Sequence, residues 1–261
     1  VGFVEQMFNE IFTLAKSQAS GDGPSEPNLF FLAMVHEIDV SVRTLTEYFE
    51  ANVDPHLAAD TTLHATLLNK MRVTLSMIER QVVVVLENAL HLITAHVKKT
   101  LNDKQKKTDF KPKEDAVAMF DGPTDACRSA RTYMNNVIEY VQKNMVGDNR
   151  ASFLHALGCF FFDTILSHIK QYTVSSNGAL QLAQDASEYR VCVGKMSNSD
   201  VIRKFEGLKG VVNLFLVQPC TVPSMLNDLA DTYSLPYEEL KGLVQMRSDF
   251  KSSKLNRMLG E

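Results

Sequence analysis

Seven histidines, four cysteines and 31 acidic residues give this 261-residue chain the side chains that metal or acid–base chemistry would need. Their spacing argues against both. His91 and His96 are five positions apart within one helical stretch, so they miss the i,i+4 geometry of a metal pair. His36 is followed by Glu37 but has no second histidine at ligand spacing. His56 and His64 are eight apart with no ligand set arranged between them, and His155 and His168 lie several helical turns apart. All seven read as structural or surface residues. Cys127, Cys159, Cys192 and Cys220 form no CxxC pair, which points to reduced thiols in a cytosolic protein rather than zinc or a disulfide framework. No GxSxG elbow, GxxxxGK[ST] loop or GxGxxG turn occurs. The adjacent carboxylates Glu238 and Glu239, and the pair Asp228 and Asp231, fall near helix starts, where such groups serve as caps and dipole partners. No catalytic, cofactor or metal residue is expected. A helical enzyme with a site assembled from scattered residues stays open, and it would need a deep polar pocket holding shifted ionisable groups.

The densest charge lies elsewhere. Lys98, Lys99, Lys104, Lys106, Lys107, Lys111 and Lys113 fall within sixteen positions, interrupted by Asp103 and Asp109. A run of this kind can meet anionic lipid headgroups, each lysine near the surface contributing about 1 kcal/mol. It can equally be a solvated loop. Phe110 is its one aromatic, so the interleaving expected of a single-strand nucleic-acid binder is missing. A net charge of −4 gives no general electrostatic case for nucleic acid either.

The elements that would carry these residues are helices. Gly and Pro are absent from His56 to Lys111, and apolar residues recur every three to four positions from Leu63 through Val97. The spacing predicts one helix over about 61–101, about 60 Å long at 1.5 Å per residue. Its valine run at 82–85 is expected to be buried by more than one neighbour. Helices are predicted over 1–18 and 28–52, joined by the linker 20–27 with Asn28 as N-cap, and a long mobile loop over 102–123. Further helices follow at 124–146, 149–173, 177–195 and 198–217, then a short one opened by Pro223. A final helix is predicted from Pro236 to Leu255, acidic early and basic late. Phe160, Phe161 and Phe162 span about 200° of the wheel, so one must leave the main face, and a second packed layer is the expectation for it. The clusters at 82–86 and 211–217 are too short to span a bilayer. The architecture expected is all-α, an elongated stack of antiparallel helical bundles. One bundle would cover 1–123, with the long helix and the basic loop, and the other 124–261. The chain starts on Val1 within a helical pattern, as a piece of a longer protein would.

The order of residues in the second half resembles one family, the Sec-ten subunit of the exocyst, which tethers secretory vesicles to the plasma membrane. Leu154, Leu157, Gly158 and Phe161 carry the likeness, followed by Gln171-Tyr172, Gly178-Ala179-Leu180 and Asp185-Ala186-Ser187-Glu188-Tyr189-Arg190. A helix ending in Asn213-Leu214-Phe215-Leu216-Val217 and the block Val244-Gln245-Met246-Arg247-Ser248-Asp249-Phe250-Lys251-Ser252 complete it. The last block is similar to the family's V/LQLRxDYRS, with Met, Phe and Lys in place of like residues. The resemblance is convincing over about 130–255 and weaker over 1–120, and residues 194–209 depart from it.

The resemblance implies a non-enzymatic helical rod that docks on sister subunits, the Sec-fifteen subunit above all. Small GTPases would act through the complex. It implies a cytoplasmic protein recruited peripherally to sites of exocytosis at the plasma membrane, with no cofactor. Its motif residues, Leu157, Gly158, Phe161, Gly178, Asp185, Glu188, Tyr189, Arg190, Arg247 and Asp249, are expected to be structural. A recyclin-type F-box or recycling factor with the same fold is the alternative. A C-terminal prenylation box would favour it, and the ending Arg257-Met258-Leu259-Gly260-Glu261 carries none.

Overall fold

The helical periodicity is realised over the described residues. A computed structural model describes Glu10, Thr13, Pro27 and residues 29–57, 61–113 and 122–259, without the side chains of residues 31 and 57. The helices expected over 1–18 and the 20–27 linker with its Asn28 cap otherwise lie outside the described residues. The order of elements is α1 (Phe30–Asn52), α2 (Asp54–Leu57), α3 (Thr61–Lys104), α4 (Lys107–Phe110), α5 (Asp125–Asn144), α6 (Gly147–Ile169), α7 (Ser176–Gly194) and α8 (Ser199–Asn213). A 3-10 turn at Pro219–Thr221 leads into α9 (Val222–Tyr233), α10 (Tyr237–Val244) and α11 (Leu255–Met258). The described residues form no strand, only one isolated parallel bridge between Val174 and Arg247. The fold is all-α.

Contacts group the chain into two compact units, Val1–Ile93 with Tyr140–Phe153, and Thr94–Glu139 with Leu154–Glu261. A boundary at 123/124 therefore falls inside the second unit. The first unit is built on α1 and α3, whose apolar faces bury Leu32, Val35, Ile38, Ile78, Val85, Ala89 and Ile93. Asp54 and His64 pair where α2 precedes α3. The valine run departs from expectation: Val85 is buried, but Val83 and Val84 are 53% and 41% exposed. A period of 3.6 cannot bring four consecutive residues to one apolar face.

Among the described residues, the second unit holds the larger core. On α6, Leu157, Phe161, Phe162, Ile165, Leu166 and Ile169 are buried. Phe161 meets Tyr189 of α7 edge-on at 5.4 Å, and both Phe161 and Phe162 pack on Phe205 of α8. Phe160 is the ring that leaves the face, and it goes toward solvent rather than into a second layer. By length and composition α6 is apolar enough to cross a membrane. Its main apolar face, from Leu157 to Ile169, is instead buried inside this unit, as in a core helix. Gly158 makes that packing possible, since a Cβ there would lie 2.5 Å from the Val201 side chain. At α8, Asn198 accepts from the Val201 N–H, and at α7 Ser175 accepts from the Gly178 N–H, the N-caps that set both helix starts.

Two further stretches differ from the sequence reading. The segment 102–123 is not a continuous loop: α3 runs to Lys104, and Lys107–Phe110 forms a helical turn with Phe110 buried. Residues 114–121 lie outside the described residues. The final helix stops at Val244, passes through turns and resumes only at Leu255. The cause is competition for the backbone. The Val174 N–H donates to the Met246 carbonyl at 2.8 Å and the Ser248 N–H to the Val174 carbonyl at 2.8 Å, so this stretch bonds outward instead of along a helix.

Candidate interaction surface and its supports

The connection between α6 and α7 is the hub of the second unit. Val174 is bonded on one side to Met246 and Ser248, and on the other the Ser175 N–H donates to the Phe110 carbonyl at 2.9 Å. Two segments distant in sequence are thereby tied to two adjacent residues. Gly178 stands at this junction, where a Cβ would come within 1.8 Å of the Phe110 carbonyl oxygen, a backbone atom that cannot swing aside. Phe110 also packs edge-on against Tyr172 at 5.7 Å. The basic segment is thus anchored by the single aromatic within it.

A polar network holds the approach to that anchor. Asp109 accepts from the Lys106 N–H at 3.0 Å and from the Gln105 side-chain amide at 2.8 Å. That orientation turns Gln105 Oε1 toward His168 Nε2 at 3.3 Å, so Nε2 carries the ring proton. Burial pushes His168 down to about 4, and the ring is neutral near pH 7. Its Nδ1 faces the side-chain amide of Asn102 at 3.3 Å. His168 is therefore structural, a neutral bridge from α6 to the end of α3.

All seven lysines are exposed. Lys104 donates to Ser129 Oγ at 2.7 Å and Lys106 pairs with Asp125 at 3.5 Å, both at the start of α5. An open depression of about 510 Å³ lies there, lined by Asp103, Lys104, Gln105, Lys106, Asp125, Arg128 and Ser129. Its mixed signs make it neither an anion cage nor an acid–base pocket. Among the described residues, no three His, Cys, Asp or Glu side chains are grouped to hold a metal ion.

The family-motif residues come together as supports of the same unit. Asp185 on α7 accepts from the Thr124 N–H and Oγ–H, each at 2.8 Å, and thereby caps α5 from 61 residues away. Thr124 Oγ in turn accepts from the Cys127 N–H at 3.1 Å. Glu188 pairs with Arg131 of α5, and Arg190 pairs with Glu206 of α8 at 3.0 Å. Tyr189 is buried beside Cys127, and burial raises its hydroxyl well above the usual range. Cys127 and Cys192 are buried free thiols, Cys192 pushed up to about 12, so neither is a thiolate nucleophile. At the other end Arg247 is buried. Its guanidinium donates to the Leu214 and Val217 carbonyls and grips Asp249 through Nε and Nη2, each at 2.8 Å. Spacing alone missed the anchoring role of Phe110 and the link from Thr124 to Asp185. The lone aromatic in a lysine run was the one signal available for the first of them.

Asp185 gives this unit a pH dependence. Burial raises its carboxyl to about 6, against the hydrogen bonds from Thr124 that favour the ionised form. Its folded-state value exceeds that of an unfolded aspartate, so the stabilisation is complete below about pH 4 and is lost as pH rises through about 6. Asn at 185 keeps an acceptor for the Thr124 N–H and titrates nowhere in this range. The stability of the native chain relative to Asp185→Asn should therefore rise by about 2–3 kcal/mol between pH 7 and pH 4. Urea titrations at both pH values check this, and a pH-independent difference would contradict it.

Comparison with known proteins agrees with the architecture. A family model described as "Exocyst complex component Sec10-like, alpha-helical bundle" matches residues 1–259. An Arabidopsis thaliana protein named exocyst complex component SEC10a is 28% identical over 225 residues, 86% of this chain and 27% of its own length. The rice and human proteins named exocyst complex component 5 are 29% and 26% identical, covering 94% and 88% of this chain. The chain spans about a third or less of the length of these relatives, 30% for rice and 32% for human.

Proposed function

Because the chain belongs to the Sec10-like family of exocyst components, we propose that it is a non-enzymatic docking portion of that complex, helping to hold secretory vesicles at the plasma membrane before fusion. The observation that carries this reading is the family match along residues 1–259 of an all-helical chain. In this reading the partners are the other exocyst subunits, the Sec-fifteen subunit first, and small GTPases act through the assembled complex. Its place of work is the cytoplasm, at membrane sites of exocytosis. The polar groups of the second unit support docking over catalysis: Asp185, Glu188, Arg190, Arg247 and Asp249 are each engaged in holding helices together.

The test is capture from cytosol on this 261-residue chain, read by mass spectrometry. Exocyst subunits should be enriched over a bead control, and the enrichment should survive neutralisation of the lysines between 98 and 113. Recovery of ubiquitin-ligase or recycling components instead would favour the recyclin-type reading. Failure to enrich any exocyst subunit would remove the docking role from this portion.

A further inference from the structure

We propose that the lysines of residues 98–113 form a membrane-facing ledge that binds anionic lipid headgroups by charge density alone. This surface goes beyond the docking role and does not depend on it. The chain's charge is unevenly distributed. Residues 98–113 hold seven lysines against Asp103 and Asp109, a net +5, so the remainder of a chain of net −4 carries −9. Asp109 is turned to Gln105 and the Lys106 N–H, which occupies it within the segment. Lys98, Lys99, Lys107, Lys111 and Lys113 carry no ion pair among the described residues. Lys99 lies opposite the buried line of Val97 and Leu101 on α3, with Lys98 on its flank. The next acidic residues, Glu114, Asp115 and Asp121, lie outside the described residues.

Three features select a lipid surface over other anions. The segment contains no arginine, so it lacks the planar fork that recognises a single phosphate bidentately. Its one aromatic, Phe110, is 1% exposed and therefore can neither stack on a base nor insert into a bilayer. The adjoining depression mixes Lys104, Lys106 and Arg128 with Asp103 and Asp125, so it encloses no one headgroup. What remains is a concentration of exposed, long cationic side chains on a backbone that Phe110, Asp109 and the Gln105–His168 contact hold to the bundle. Such a concentration favours a surface of many negative charges, and it responds to charge density rather than to headgroup identity.

The experiment is sedimentation of the 261-residue chain with phosphatidylcholine vesicles containing, or lacking, about a third phosphatidylserine. The variant is Lys107→Gln with Lys111→Gln and Lys113→Gln. The control is Lys70→Gln with Lys143→Gln and Lys251→Gln, exposed residues outside the segment that give the same change of charge. Each ledge lysine is worth about fivefold in partition, so the variant should lose on the order of a hundredfold while the control stays within a few-fold. Circular dichroism should be unchanged in both. Binding should fade as ionic strength rises from about 0.1 M toward 1 M, where the screening length drops from about 10 Å to about 3 Å. Equal loss in ledge and control variants, or no sedimentation at low salt, would overturn the proposal. So would binding to soluble polyglutamate without binding to vesicles, which would mark an acidic protein as the partner.

Discussion

Arg247→Ala should destabilise the second unit by about 3–5 kcal/mol, the range for removing one member of a buried charged network. The side chain is only 4% exposed, and its Nε, Nη1 and Nη2 each meet an acceptor. Removal leaves the Leu214 and Val217 carbonyls at the end of α8 without their donor, and Asp249 without its partner. Arg247→Lys should recover only part of the loss, because an ammonium cannot hold two carbonyls and a bidentate carboxylate at once. Asp249 adds a check on sign. The bonds from Arg247 hold its carboxyl below the usual range, so its share of stability is present above about pH 4 and disappears as pH falls through its folded value. Chemical denaturation of the three chains measures the effect, and a loss below about 1 kcal/mol for Arg247→Ala would mean that the carbonyls find water instead.

The second large effect is expected at Gly178. Gly178→Ala places a methyl group on the Phe110 carbonyl, and the segment carrying Phe110 must lift away. Exposing that ring costs about 2–3 kcal/mol and losing the Ser175–Phe110 bond about 1 kcal/mol more. Alanine returns about 1 kcal/mol in helix propensity, leaving a net loss of about 2–3 kcal/mol. Released lysines should become rapid tryptic sites, which separates this local detachment from global unfolding. A double-mutant cycle with Phe110→Ala tests the mechanism, since Gly178→Ala should cost little once the ring is gone. Unaltered stability and unaltered proteolysis together would show that the contact is not what anchors the segment.

The helices were legible because their signal is local. The period from Leu63 to Val97 predicts a helix over about 61–101, and α3 runs from Thr61 to Lys104. Pro223 and Asn198 mark helix starts through chemistry that acts within one turn. The errors share a cause. The acidic-to-basic gradient after Pro236 describes a good isolated helix, but Val174 competes for its backbone and Arg247 is drawn to carbonyls 30 and 33 residues earlier. Lysine-rich composition hid the anchor at Phe110, and four valines in a row concealed that two of them face solvent.

Residue types and periodicity by themselves determined that this chain is helical, which faces of α3 and α6 are apolar, and where most helices begin and end. They also determined the charge imbalance of residues 98–113, which is a matter of composition. Only the tertiary structure decided which buried polar groups meet. Thr124 and Asp185 are 61 positions apart, and Phe110 reaches Ser175 across a similar distance. A buried carboxylate or guanidinium needs a partner, but the identity of that partner depends on which helices are packed together. Helix packing follows from the burial of whole apolar faces, so the pairings it brings about leave no mark in the spacing of residues along the chain.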